Sequence, residues 1–89
     1  MKTLEVTVSD NGELLNISAI SNLQINTFRI KYISVLSLVK MGGSYYVTIE
    51  LSNREEYSYY ISGENEKAEE EAKELYNTLR GILADYVQR

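Results

Sequence analysis

Apolar residues fall on alternate positions from Leu4 through Val6 to Val8. The chain reverses at Asn11-Gly12, and Leu15, Ile17 and Ala19 return on the same phase. Alternation with period two marks a strand with one buried face. Asn-Gly suits a two-residue type I′ turn, which needs positive φ at both central positions. A turn there sets Val8 opposite Leu15, Val6 opposite Ile17 and Leu4 opposite Ala19, with Thr7–Asn16 and Glu5–Ser18 on the polar face. Leu14 and Ile20 then face away from the hairpin's apolar side and predict a small association patch.

Residues 21–32 change phase. Leu23 and Ile25 alternate on one phase, then Phe28, Ile30 and Tyr32 on the other, which predicts a bulge or bend. The run Ile33-Ser34-Val35-Leu36-Ser37-Leu38-Val39 is apolar on both faces, as in a central strand or one covered by a helix. Met41-Gly42-Gly43-Ser44 reads as a turn. Residues 42–61 hold five of the chain's eight tyrosines. Tyr45, Val47, Ile49 and Leu51 share a face. A return strand that sets Leu51 opposite Tyr57, Ile49 opposite Tyr59 and Val47 opposite Ile61 leaves Asn53-Arg54-Glu55 as the loop. Tyr45, Tyr57 and Tyr59 are then expected in the core wall, and Tyr46 and Tyr60 on the other face beside Thr48. Cross-strand aromatic and β-branched pairs add ~0.2–1 kcal/mol each, so sheet packing alone accounts for this tyrosine enrichment.

Beyond residue 64 the period lengthens to that of a helix. Ala68, Ala72, Leu75, Leu79, Ile82 or Leu83, and Tyr86 make one apolar stripe. Ser62-Gly63-Glu64-Asn65 supplies cap candidates, and Glu64, Glu66, Glu69, Glu70 and Glu71 crowd the end where the helix dipole favours carboxylates. Small Ala68 and Ala72 predict a close approach to a sheet. Gly81 costs about 1 kcal/mol relative to Ala in a helix, which predicts tight packing or a slight bend there. The chain therefore reads as one α+β domain over residues 1–89. A curved antiparallel sheet of about six strands, near 3–9, 14–20, 24–31, 33–40, 44–52 and 56–61, is packed by one long C-terminal helix near 64–87.

Composition narrows the chemistry. The net charge of -4 is uneven: residues 1–40 carry four basic and three acidic groups, residues 41–89 five basic and ten acidic. General nucleic-acid binding, which needs a basic face, is disfavoured. No apolar run reaches the roughly 18 residues a membrane-spanning helix needs. The alternating start, Met-Lys-Thr-Leu-Glu-Val, reads as a strand and not as a signal peptide, so a cytoplasmic location without membrane contact is expected. The chain has no His and no Cys. Zinc sites built on imidazole or thiolate are excluded, as are Ser-His-Asp and Cys-His catalysis. Neither phosphate-binding glycine motif is present. Asp10-Asn11-Gly12 lacks the flanking ligands of a calcium loop. Glu50, Glu55, Glu56 and Asp85 remain as acid–base candidates, but no pattern around them promises the burial or pairing that raises a carboxyl pKa. A non-enzymatic protein without cofactor or metal is expected.

Three surfaces are candidates for contact. Tyr46 and Tyr60 offer an aromatic outer face. Arg29, Lys31 and Lys40, with nearby tyrosines, form a small basic set of the kind that holds a nucleotide by charge and stacking. Glu66, Glu69, Glu70, Glu71 and Glu74 make an acidic helix face that either mimics nucleic-acid phosphates or is simply solvated, with pairs such as Glu69–Lys73.

Ile33 with Leu36, the run Tyr46-Val47-Thr48-Ile49-Glu50-Leu51-Ser52-Asn53, and the run Glu70-Glu71-Ala72-Lys73-Glu74-Leu75-Tyr76 carry a resemblance over half the chain. In these residues the chain resembles small uncharacterised proteins of bacteria and their phages, built from an I-x-x-I/L core strand, an aromatic-rich hairpin and an E-E-A-x-x-L-Y helix. Strands closed off by a long C-terminal helix also look like the pleckstrin-homology-like architecture. The resemblance implies that fold and a phage or mobile-element origin. It does not imply phosphoinositide binding, because that family sets basic residues around its first hairpin and this turn reads Asp10-Asn11-Gly12-Glu13. The leading expectation is a small protein-interaction module that meets a protein partner or a second copy through the outer tyrosine face or an exposed strand edge. A nucleotide or small-ligand binder using the basic set, and an acidic inhibitor mimicking nucleic acid, are the alternatives.

Overall fold

The computed structural model describes residues 4–19, 24–61 and 65–88; Ile20, Leu23 and the cap candidates Ser62-Gly63-Glu64 lie outside the described residues. The first hairpin joins β1 (Leu4–Val8) to β2 (Leu14–Ala19) in the register that the alternation predicts, from Leu4↔Ala19 to Val8↔Leu15. Its turn is not the expected type I′. Gly12 alone takes positive φ there, at 72°, and its N–H donates to the Ser9 carbonyl at 2.9 Å. Asn11 contributes its side chain instead: Oδ1 accepts from Ser9 Oγ at 2.6 Å and from the Glu13 N–H at 3.1 Å. A short polar side chain that satisfies the turn's donors removes the need for a strained backbone at that residue.

β3 (Gln24–Arg29) pairs with β2 without a break, setting Leu15 opposite Phe28 and Ile17 opposite Asn26. The change of phase is therefore no bulge: Ile25 lies on the outer side, 64% exposed, while Phe28 enters the core. The bend comes later. Ile30–Tyr32 form a 3-10 turn that ends the expected strand early, buries Ile30, and is tied by the Ile30 N–H to the Glu13 carbonyl at 3.0 Å.

The second half forms β4 (Ile33–Met41), β5 (Ser44–Leu51) and β6 (Glu56–Ile61). Pairing runs Ile33↔Leu51 and then Val35↔Glu50, so one extra residue is accommodated at the start of β4. That bulge flips the face. Ile33 points inward, and after it Leu36 and Leu38 do, which is why the run looks apolar on both phases. β4 is an edge strand with one face covered, not a central strand. Gly42 and Gly43 both take positive φ (57° and 85°) in the tight turn that closes Met41↔Ser44. Between β5 and β6 the register is Tyr45↔Ile61, Val47↔Tyr59 and Ile49↔Tyr57, two residues away from the expected pairing. The faces survive, because a slip of two preserves the alternation. The loop supplies the cause. Leu51 N–H donates to the Glu55 carbonyl at 2.8 Å and Arg54 N–H to the Leu51 carbonyl at 2.9 Å, with Arg54 in the left-handed region at φ 73°. Arg54 occupies the position that glycine favours in three-residue hairpin loops.

The strands pair as two three-stranded antiparallel sheets, β1-β2-β3 and β4-β5-β6, and not as one six-stranded sheet. The 3-10 turn at Ile30–Tyr32 separates β3 from β4, so no ladder continues across it. A single core joins the sheets to α1 (Asn65–Val87). Leu15, Ile17 and Phe28 come from the first sheet, Val47, Ile49 and Ile61 from the second, and Ala68, Ala72, Leu75 and Leu79 from the helix. Ala72 is completely buried, as the close approach of helix to sheet requires. Ile82, Leu83 and Tyr86 extend the stripe at partial burial. No helix among the described residues is long and apolar enough to cross a membrane.

Gly81 is exposed within an unbroken helix, and a Cβ built there meets nothing within 4 Å, so the tight packing expected of it is absent. Gly81→Ala should therefore raise unfolding stability by roughly 0.5–1 kcal/mol, seen as a higher urea midpoint at unchanged slope. Arg54→Gly should also stabilise, by about 0.5–1 kcal/mol, since relief of the left-handed strain exceeds the added chain entropy of glycine. A lowered midpoint for Arg54→Gly would show that the Arg54 side chain outweighs its backbone.

Candidate interaction surface

The β5 register sorts the second sheet into two faces. Lys40–Tyr45–Ile61, Leu38–Val47–Tyr59 and Leu36–Ile49–Tyr57 form rows on the core side. The rows on the other side are Val39–Tyr46–Tyr60, Ser37–Thr48–Ser58 and Val35–Glu50–Glu56. Helix and first sheet meet the core side: Phe28 makes an edge-to-face contact with Tyr57 at 5.0 Å, and the Asn26 amide donates to the Tyr59 hydroxyl at 2.9 Å. The outer rows are covered by no element among the described residues.

At one end of the outer face, the rings of Tyr46 and Tyr60 stand 5.5 Å apart at 56°. Tyr60 is 51% exposed, and Met41 and Val35, on the same side of β4, are 67% and 44% exposed. In the middle, Thr48 is buried by its neighbours and shares a hydrogen bond with Ser58 at 3.2 Å. At the other end Glu50 stands opposite Glu56. The face thus runs from aromatic and apolar, through hydroxyl, to a facing pair of carboxylates beside the exposed Val35. Tyr46 and Tyr60 are where the alternation predicts them. Val35, Val39 and Met41 share that side because the tight turn fixes Met41↔Ser44 and β4 alternates without a break back to Val35; the bulge at Ile33–Val35 only returns Ile33 to the core side.

The basic residues do not form one group. Arg29 ends β3, and Lys31 lies in the 3-10 turn with Nζ 5.1 Å from the Tyr32 ring. Lys40 lies near the far end of β4, its Nζ 5.6 Å from the Tyr45 ring. At about 3.3 Å per strand residue, Ile33 and Lys40 are separated by roughly 20 Å, so one nucleotide-sized ligand does not span Lys31 and Lys40.

On the helix, Glu66, Glu70 and Glu74 are exposed and Glu69 and Glu71 half-buried. Glu69 is already engaged: Lys73 Nζ lies 2.8 Å from its carboxylate. Lys73 holds the Glu69 carboxyl below its ordinary range, with smaller help from the Tyr45 hydroxyl and Lys40, and Glu69 in turn raises the Lys73 ammonium. The acid–base candidates are dispersed. Glu50 and Glu56 face each other on the outer sheet, Glu55 accepts from the Tyr57 hydroxyl at 3.1 Å, and Asp85 stands on the helix. Among the described residues no three acidic side chains group as metal ligands do. No protein-family model matches the chain, and no curated protein does.

Two phenols are perturbed. Burial pushes Tyr59 above the ordinary tyrosine value, partly offset by the Asn26 amide, and the Glu55 carboxylate beside Tyr57 raises that phenol too. A raised folded value means that the native state holds its proton longer than the unfolded chain. This contribution is intact below the unfolded pKa of about 10 and is lost as pH climbs through the folded value. The urea midpoint should fall on the alkaline side of that point, and less steeply in Tyr59→Phe than in the parent. Equal alkaline slopes would remove Tyr59 as a source.

Proposed function

We propose that the chain is a non-enzymatic protein-interaction module that presents the outer face of β4–β5–β6 to a protein partner. The observation that carries this reading is the Tyr46–Tyr60 ring pair, flanked by Val39 and the exposed Met41 and lying on the face opposite the core. Tyrosine and methionine are enriched in protein interfaces, where a ring gives a large rigid contact area and its hydroxyl finds a polar partner at the rim. The hydroxyl row of Ser37, Thr48 and Ser58 and the Glu50–Glu56 end would supply orientation and charge specificity. A protein partner is favoured over a second copy because the chain carries a net charge of -4, which repels its own kind. The same reading takes the two sheets closed by the C-terminal helix as pleckstrin-homology-like in architecture, with the acidic first turn arguing against phosphoinositide headgroups.

The test is a double variant, Tyr46→Thr with Tyr60→Thr, which keeps β-propensity and removes the rings. Tagged parent and variant are recovered from native cells, and any retained protein is purified and titrated against both. A partner whose affinity falls about tenfold or more, with thermal stability preserved, supports the reading. Equal affinity for both excludes this face as the contact. Sedimentation at two concentrations reports separately whether a second copy is the occupant.

A further inference from the structure

β4 is the longest strand, with nine residues, and it forms an edge of its sheet. One side pairs with β5, and no strand among the described residues pairs with the other. The register fixes which backbone groups are left over. Gly42 and Gly43, both at positive φ, make a two-residue turn, so the flanking Met41↔Ser44 is a hydrogen-bonded pair. Such pairs alternate along an antiparallel ladder. Val39, Ser37 and Val35 therefore bond to β5, while Lys40, Leu38 and Leu36 turn their N–H and C=O groups to the free edge.

Short length, charged side chains and proline are the usual devices that keep an edge from pairing. Here Ile33 to Val39 is uncharged and free of proline, and Lys40 is the strand's one charge. The residue order is also symmetric. Val35-Leu36-Ser37-Leu38-Val39 reads the same in both directions, and the flanks continue the pattern in kind, polar Ser34 and Lys40 and then apolar Ile33 and Met41. Two copies of one strand related by a two-fold axis set each residue opposite its mirror position. An axis at Ser37 sets Leu36 opposite Leu38, Val35 opposite Val39 and Ser34 opposite Lys40, so no two like charges are opposed. The free groups of Leu36 and Leu38 then meet in hydrogen-bonded pairs, and Ser37 meets its copy in the closer, non-hydrogen-bonded kind. Val35, 44% exposed, gains an apolar neighbour in place of an outer row that otherwise offers it Glu50 and Glu56.

We infer that β4 adds to β4 of a second copy, antiparallel about an axis at Ser37, and so joins two three-stranded sheets into one of six strands. Main-chain bonds supply the affinity, as in other strand additions. The net charge of -4 bears less on this edge than on the tyrosine face, because β4 holds no carboxylate. The two copies of Glu50, one strand in from the edge, stand roughly 20 Å apart, beyond the ~8 Å range of charge interaction in physiological salt. The axis is perpendicular to the sheet, so both Tyr46–Tyr60 pairs emerge on one side and stay open to a partner. The inference is independent of what the tyrosine face binds.

The chain has no cysteine, so one introduced thiol reports on the axis. Ser37→Cys replaces a single oxygen by sulfur and would meet its own copy within disulfide reach. Val35→Cys, on the same face, is the control, because its two copies would lie roughly 13 Å apart. With oxidised glutathione, Ser37→Cys should form the disulfide-linked dimer about tenfold or more faster than Val35→Cys. Sedimentation equilibrium of the unaltered chain should show a dimer that grows with concentration. Ser37→Lys and Ser37→Asp should each stay monomeric, and their equimolar mixture should dimerise again, since opposite charges then meet at the axis. Tyr46→Thr with Tyr60→Thr should dimerise as the parent does. Amide hydrogen exchange on the unaltered chain should slow at Leu36 and Leu38 as concentration rises, a readout independent of how the variants fold. A strict monomer at every concentration, equal cross-linking at positions 35 and 37, or no recovery in the mixture overturns the edge pairing. So does a dimer lost in the tyrosine variant but kept in Ser37→Lys, which would put the second copy on the tyrosine face. If the edge pairing fails while a partner still depends on Tyr46 and Tyr60, only the edge pairing falls.

Discussion

The structure depends on the contact between one helix stripe and one sheet face. Ala68, Ala72, Leu75 and Leu79 lie on the side of β5 that carries Tyr45, Val47 and Ile49, and these residues are almost wholly removed from water. Each fully buried Leu, Ile or Val contributes about 1.5–3 kcal/mol. A chain of 89 residues without a disulfide has little else to offset its conformational entropy. The two alanines let the helix backbone approach the sheet, and Tyr45 continues outward from that contact to reach Glu69 and Lys40 at the rim.

The surface follows from this constraint. A three-stranded sheet covered on one side leaves the other in water, and here that side keeps two tyrosines, two valines and a methionine. The hydroxyl row lies between them, with Val39 and Met41 at the Tyr46–Tyr60 end and Val35 beside Glu50 and Glu56 at the other. The helix passes from the second sheet to β1 and leaves a groove of about 260 Å³ between them. One helix is too few to cover both faces of two sheets.

The strongly periodic parts of the fold are legible from residue order. The first hairpin's register and the helix stripe are two of these, as is the outward placing of Tyr46 and Tyr60. The misread features are those where a side chain substitutes for a backbone preference. Asn11 holds its turn through Oδ1 and not through positive φ. Asn53 Oδ1 accepts the Glu55 N–H at 3.0 Å, which lets Arg54 take the left-handed position and moves the β5–β6 loop by one residue. Gly81 sits where nothing requires it. The bulge in β4 is hidden because Ile33 and Val35 have like character although they face opposite ways.

Local periodicity and composition by themselves determined the α+β class, the number and order of the strands and the helix, which residues share a face, and the absence of thiol and imidazole chemistry. These are properties of bonds between near neighbours and of composition. Only tertiary packing decided that the strands divide into two sheets, since a single 3-10 turn at Ile30–Tyr32 breaks the ladder and no pattern distinguishes it from two more strand residues. Packing also decided that Lys31 and Lys40 stand apart and that β1 and α1 frame a groove. Each is a distance between segments remote in the chain, set by how side-chain volumes fill the shared core, and residue order carries that information only through the finished fold.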